Sequence, residues 1–283
     1  MFVGHSTVLI ELDGVRLLTD PLLRTRVAHL RRRVAPVDAG ALANPDAVLV
    51  SHLHRDHLDL ASLRLLGHST LMLVPAGAGA WLRRRRFSGV SELSAGETAH
   101  VGALTVTAVP ARHDGRRHPG GRRVAQALGY LVRGAGRTIY FAGDTALFAE
   151  MAELTVGPSP TGELGEFPPT SAPASANDSP PTGAAARGID VALLPVAGWG
   201  ARLGPGHMDP LDAARAVALL APRIAIPIHW GTLLPAGVAR RARRERLEEP
   251  PRLFAEHVAR LAPDVDVRIL CPGEQTLLAP ASG

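Results

Sequence analysis

The sequence predicts an α/β fold, and three features carry that expectation. Two short aliphatic runs, Val8-Leu9-Ile10 and Val15-Arg16-Leu17-Leu18, meet at Asp13-Gly14, a pair that tolerates the positive φ angles of a type I′ hairpin turn. Ala47 to Ser51 is a continuous apolar run without alternation, the pattern of a strand covered on both faces. From Gly188 onward, short apolar runs alternate with segments of helical spacing, so the second half repeats the mixture of the first.

Taken in order, the chain opens on an apolar strand from Phe2 and the hairpin just named. After the Ala47–Ser51 strand, Asp59 is suited to N-cap a short helix built on Leu60, Leu63, Leu65 and Leu66, which stops near Gly67. A second strand–helix unit runs through Leu71 to Arg86. Leu104–Val109, Ala127–Val132 and Thr138–Ala142 then read as successive strands joined by glycine-containing turns, with a polar loop at Arg112–Arg123. Residues 155–187 hold most of the proline and serine crowding and read as a largely disordered insertion. Beyond it the expected elements are a strand at Ile189–Pro195, a helix at Asp209–Leu220 and a strand at Arg223–Ile228. A helix at Arg252–Leu261 and strands at Val265–Leu270 and Thr276–Leu278 follow. The whole, residues 1–283, is expected to form a single domain carrying that insertion.

Composition narrows the function classes. The chain has 283 residues, 46% of them hydrophobic, enough for a large core. A net charge of +5 would ordinarily raise nucleic acid as a partner, but all 31 basic residues are arginine, which points to a genome-wide bias. The clusters Arg31-Arg32-Arg33 and Arg83–Arg86 therefore read as solvated basic faces, and no nucleic-acid partner is expected. The lone Cys271 rules out an internal disulfide and suits a reducing compartment. Neither a secretory leader nor an integral membrane segment is evident, so the expected location is cytoplasmic, and the abrupt opening leaves room for a true start upstream.

The chemistry is concentrated in His52-Leu53-His54-Arg55-Asp56-His57, which places four metal-capable side chains in six residues directly after a buried strand. Imidazole and carboxylate suit Zn²⁺, and also Mn or Fe. Against the bland reading of a polar loop stands this density in a chain with 12 histidines. The run matches the HxHxDH signature of the metallo-β-lactamase superfamily residue for residue, and the chain resembles that superfamily. The resemblance implies three later ligands in the order His, Asp, His. His113, Asp144 and His229 each follow an apolar run in that order, although alone each reads as a loop histidine or a helix cap.

By that resemblance, one divalent metal belongs to His52, His54 and His113 and a second to Asp56, His57 and His229, with Asp144 between them. A pair of such ions, most simply zinc, would activate a shared hydroxide for attack on a small ester-like substrate. The implied architecture is a four-layer αββα sandwich, two mixed β-sheets flanked by helices. Gly4-His5-Ser6-Thr7, read as part of the first strand, Leu18-Thr19-Asp20-Pro21 and Gly206-His207-Met208-Asp209-Pro210 narrow the resemblance. They resemble the branch of ascorbate-phosphate lactonases and N-acyl phosphatidylethanolamine phospholipase D-like enzymes, so the substrate is expected to be a lactone or a phosphodiester.

Three further residues are marked by the same branch. Asp20 resembles a carboxylate that orients a ligand histidine, the alternative being a turn residue before Pro21. His207 resembles a substrate-contacting or proton-donating residue, set against a structural cap. His5 either faces the same pocket or packs at the strand start. Asp56, His207 and Asp20 thus form the expected catalytic group, and His29, His68, His100, His118 and His257 are expected to lie elsewhere.

With 4% aromatic residues and no amphipathic anchor, a small soluble substrate is preferred over a membrane lipid. The rivals within the same superfamily are a nucleic-acid-processing enzyme, which carries an extra domain before its last histidine, and a di-iron oxygen-handling protein with a flavin-bearing domain. The sequence leaves assembly into a homo-oligomer open.

Overall fold

The computed structural model describes residues 1–35, 38, 40–118, 120–122, 124–155, 188–198, 203–235, 237 and 240–279. The expected insertion at 155–187 falls, apart from its first residue, outside the described residues.

In chain order the strands are β1 (Phe2–Gly4), β2 (Thr7–Leu12), β3 (Val15–Thr19), β4 (Arg26–Val27), β5 (Leu30–Arg32) and β6 (Ala47–Leu49). Helix α1 (Leu60–Leu66), β7 (Met72–Pro75), helix α2 (Gly79–Arg83), β8 (Val90–Leu93), β9 (Thr98–Val101) and β10 (Leu104–Pro110) follow. Then come β11 (Leu128–Gly134), β12 (Arg137–Phe141), a 3₁₀ helix at Ala149–Thr155 and β13 (Val191–Pro195). The chain closes with α3 (Pro210–Leu220), β14 (Ile224–Ile228), β15 (Leu233–Pro235), α4 (Arg240–Leu261) and β16 (Asp266–Val267).

Two mixed sheets result. One has the order β1-β2-β3-β6-β7-β8, and the other β16-β14-β13-β12-β11-β10-β9. In each, antiparallel hairpins occupy one side and parallel strands the other. The opening hairpin forms as expected, with φ of 54° at Asp13 and 75° at Gly14, the left-handed pair that a type I′ turn requires.

Period-2 alternation assigns the layers. Leu17, Ala47, Leu49 and Leu73 of the first sheet turn into the large core shared with Val106, Tyr130, Val132 and Phe141 of the second. Their neighbours Val48, Val50, Met72 and Val74 turn outward and pack on Leu63 of α1 and Trp81 and Leu82 of α2. On the second sheet, Ala192 and Leu194 join a cluster with Ala213 and Val217 of α3 and Phe254 and Val258 of α4. Burial of each such leucine contributes about 2 kcal/mol. The αββα sandwich expected from the sequence is therefore the observed fold.

The helix boundaries at the first and third helices follow from their caps. Asp59 accepts the backbone N–H of Ser62, and Asp209 accepts that of Asp212, with Pro210 at the first position of α3.

Four expectations are corrected. The helix expected at Arg252–Leu261 begins at Arg240, because it continues through Pro250 and Pro251, a pair that on sequence reads as a boundary. Pairing at Val265–Leu270 shrinks to Asp266–Val267. Thr276–Leu278 joins no ladder; instead the Arg268 guanidinium donates to the Thr276 hydroxyl and the Leu277 carbonyl. Gly4–Thr7, read as continuous strand, is the tight turn between β1 and β2, with φ of 124° at Gly4 and 59° at His5.

A small third sheet, β15-β5-β4, was not anticipated. The arginine clusters also have internal work: Arg32 donates to the carbonyls of Val3, Leu22 and Ala35, and Arg83 to Glu92 and the Val90 carbonyl. Among the described residues, no helix is long and apolar enough to cross a membrane.

Candidate metal centre

Strand ends of both sheets deliver the expected residues to one place. His52, His54, Asp56 and His57 lie on the loop after β6, Asp20 follows β3, His113 follows β10, Asp144 follows β12 and His229 follows β14. The loops are braced against each other. Arg112 donates its backbone N–H to the Thr145 hydroxyl and accepts from the Ala146 N–H, which ties the His113 loop to the Asp144 loop. Gly143 sits at φ 63°, where a Cβ would come within 2.5 Å of the Ser51 Cβ, so only glycine lets the Asp144 turn approach the β6 loop this closely.

Among the described residues the donors fall into four overlapping groups, two of which divide the histidines expected as ligands between them. His52, His54 and His113 make one, and His5, Asp56, His57 and His229 the other, the donor atoms of each lying within 4.8 Å of one another. Asp144 stands between them. Its Oδ2 is 3.2 Å from His57 Nε2, 3.2 Å from His229 Nε2 and 4.0 Å from His113 Nε2. His207 Nε2 reaches the same oxygen at 3.6 Å.

The outer nitrogens of these rings are held. His113 Nδ1 is 2.7 Å from the Gly206 carbonyl, and His229 Nδ1 is 2.6 Å from the Ala197 carbonyl. His57 Nδ1 is 2.7 Å from Asp20 Oδ2. Carbonyl oxygens accept and never donate, so Nδ1 of His113 and His229 carries a proton, and Nε2 is the ring atom turned inward, a ligand atom whenever the ring is neutral. The inward atoms crowd one another and the Asp144 carboxylate. His57 Nε2 and His229 Nε2 are 3.3 Å apart, and His54 Nδ1 and His113 Nε2 are 3.0 Å apart. Among the described residues, His52 Nε2 and Asp144 Oδ1 are buried with no hydrogen-bond partner. Orphaned buried polar atoms are costly and rare, and nitrogen and carboxylate donors converging in this way fit a pair of divalent cations.

Electrostatics in the metal-free protein divides the rings. Burial pushes His5 down to about 3 and His54 down to about 4, and holds His52 well below its ordinary value and His113 below it. Burial acts the same way on His57 and His229, but is overcome by the negative charge of Asp144, which raises both. For Asp144 and Asp56, desolvation favours the neutral acid. Charges on His229 and His57 for Asp144, and on His57 together with the His5 hydrogen bond for Asp56, outweigh it and keep both carboxylates below their usual range. The site therefore holds its carboxylates ionised at neutral pH.

Exposure is uneven. The side chains of His5, His57, His229 and His113 are enclosed, at 3% exposure or less, whereas His54 is half-buried and the side chains of Asp56 and His207 are 13% and 24% exposed. The opening lies on the His54 and His207 side.

All nine expected site residues meet at this centre, and His5, left between two readings, lies in it with Nε2 3.0 Å from Asp56 Oδ2. Two contributors were not singled out. Ser51 gives both its N–H and its hydroxyl to Asp20, at 2.7 and 2.6 Å. Arg117, read as part of a polar loop, sends Nη1 to the carbonyls of Leu53, His54 and Leu58 and rests over the Trp81 ring. Neither carries a local signal, since their partners are carbonyls and a carboxylate remote in sequence. His68, expected elsewhere, stacks on Phe87 outside the centre.

Comparison with known proteins identifies the family. The family model described as "Beta-lactamase superfamily domain" matches residues 15–161 and 172–230. A UPF0173 metal-dependent hydrolase of Methanopyrus kandleri is 32% identical, over 96% of this chain and 96% of its own. The N-acyl-phosphatidylethanolamine-hydrolyzing phospholipase D 1 of Caenorhabditis elegans is 28% identical over 82% of this chain, which spans 63% of that protein's length. Among solved structures, a metallo hydrolase of Ignicoccus hospitalis superposes with a TM-score of 0.67 at 23% identity, covering 97% of this chain and 95% of the other, a likeness of fold.

Proposed function

The chain belongs to the metallo-β-lactamase superfamily, among its metal-dependent hydrolases, and on that premise we propose that it cleaves a small ester-like substrate, a lactone or a phosphodiester, at a dinuclear centre. The observation that carries the reading is the convergence of two donor groups on Asp144, with His52 Nε2 and Asp144 Oδ1 buried and without a hydrogen-bond partner among the described residues. His52, His54 and His113 would hold one divalent cation and Asp56, His57 and His229 the other, with Asp144 available to both; zinc would suit this donor set, and Mn or Fe would fit the same atoms. When bound, such a pair lowers the pKa of a shared water toward neutrality and withdraws charge from the oxygen of the scissile group.

The protein residues do the rest. Asp20 fixes the His57 ring through Nδ1, and the Gly206 and Ala197 carbonyls fix the rings of His113 and His229, so the donors need little reorganisation on loading. Strands of both sheets and the enclosing core keep bulk water from the His57 and His229 rings. His207, at the open side and oriented through Nδ1 3.2 Å from the Gly204 carbonyl, is placed to protonate the departing oxygen. Residues 1–283 act as a single metallo-hydrolase domain on a soluble substrate.

The test is the initial rate of protein reconstituted with Zn²⁺ or Mn²⁺ on matched lactone and phosphodiester panels, with His229→Ala as control. Metal-dependent turnover of one class, lost in the control, is expected. Equal rates for the chelator-treated protein, or for the control, would remove this centre from the reaction.

A further inference from the structure

Among the described residues, His5 lies at the centre and the reading above gives it no role. It occupies the two-residue turn between β1 and β2, at φ 59°, and is only 2% exposed. The turn is held from three sides. The His5 backbone N–H donates to the Thr232 hydroxyl at 2.7 Å, and its carbonyl accepts the His229 N–H, also at 2.7 Å. Its Nε2 meets Asp56 Oδ2 at 3.0 Å, and its ring lies 4.0 Å from that of His229 between centroids. Gly4 makes the turn feasible: a Cβ there would stand 2.8 Å from the Thr232 hydroxyl oxygen, and its φ of 124° is strained for other residues.

One residue thus ties three chain segments together: the β1–β2 turn, the loop carrying Asp56 and the turn carrying His229. A left-handed backbone at a histidine costs of the order of 1 kcal/mol, and such strain persists where the surroundings over-determine it. The contact with Asp56 also has a direction. An ionised carboxylate only accepts, so the bond requires the proton on His5 Nε2, and an Nε2 that donates cannot at the same time ligate a cation.

We propose that His5 is the positioning residue of the second metal position. It donates Nε2–H to Asp56 Oδ2, which orients that carboxylate, and its backbone carbonyl sets the His229 turn. This assignment rests on the dinuclear reading above. It predicts that zinc affinity at one of two sites depends on a hydrogen-bond donor at position 5, although that residue is not a ligand.

The experiment is a competition titration with Zn²⁺ of the wild-type protein, His5→Gln and His5→Leu. Both substitutions carry the same backbone penalty at positive φ, and only glutamine can still donate to Asp56. Expected are two sites in the wild type, a tenfold to hundredfold loss at one of them in His5→Leu, and recovery of most of that loss in His5→Gln. Two unchanged sites in His5→Leu would overturn the proposal and leave the dinuclear reading intact. Absence of zinc uptake by the wild type would overturn the dinuclear reading itself. Should His5→Leu not fold, the ¹⁵N shifts of the His5 ring in the zinc-loaded wild type decide: an Nε2–H tautomer supports the proposal, and an Nδ1–H tautomer or a zinc-bound Nε2 overturns it.

Discussion

His57 and Asp20 lie 37 residues apart in the chain and meet at 2.7 Å between Nδ1 and Oδ2, both side chains with no exposure. Asp20 is itself held by the Ser51 N–H and hydroxyl. The carboxylate therefore cannot swing away, and the His57 ring presents Nε2 to Asp144 in one orientation.

Replacing Asp20 by Asn keeps the shape and weakens this hold. The expected outcome for Asp20→Asn is a tenfold to hundredfold fall in zinc affinity, about 1.4–2.7 kcal/mol, with the fold retained. Competition against a chelator of known affinity measures it, and unchanged affinity would show that the contact does not tune the site.

Stability of the metal-free protein should peak near pH 6.5. Unfolded histidines titrate near 6.5, so His5, at about 3, and His54, at about 4, take up protons on unfolding as the pH falls below that value, as do His52 and His113, which are also lowered. The unfolded state then binds more protons and stability drops with acid, by up to about 1.4 kcal/mol per pH unit for each such ring. His57 and His229 are raised, so their contribution is complete below about 6.5 and is lost as the pH climbs through their folded values. Denaturant melts of chelator-treated protein from pH 4.5 to 9 would trace this dome; a flat profile would contradict the shifts.

Arg117 braces the His52–His57 loop from beneath. Its three carbonyl contacts belong to Leu53, His54 and Leu58, and burial lowers it to about 10, still charged at neutral pH. Hydrogen bonds from a charged donor are worth about 1.5–3 kcal/mol each and do not add fully. Arg117→Ala is expected to cost about 3 kcal/mol in urea unfolding and to weaken zinc binding. A variant within about 0.5 kcal/mol of wild type would show that the loop holds itself.

His207 lies at the open side of the centre, with its side chain 24% exposed. If it delivers a proton to the leaving oxygen, His207→Ala lowers kcat about 10²-fold or more with two zinc ions retained, and substrates with better leaving groups lose less. Loss of a metal ion in that variant would instead make His207 a ligand.

Much of this protein is legible in short stretches of its sequence. The Asp13-Gly14 turn, the Asp59 and Asp209 caps and the apolar run before His52 act between neighbours in the chain, so their chemistry alone specifies them. The run His52–His57 is legible for the same reason, and the superfamily resemblance supplied the order in which to seek His113, Asp144 and His229. Other features depend on chain segments that meet only when the two sheets stack. His57 and His229 are 172 residues apart, His5 and Thr232 are 227 apart, and Arg117 finds its carbonyls about 60 residues upstream. No local period encodes which ring nitrogen a distant carbonyl will hold, or that α4 will run through Pro250 and Pro251. The candidate residues were thus set by local sequence, whereas their orientation, their protonation and the place of His5 beside Asp56 were decided by tertiary packing, because only packing fixes hydrogen-bond partners across the fold.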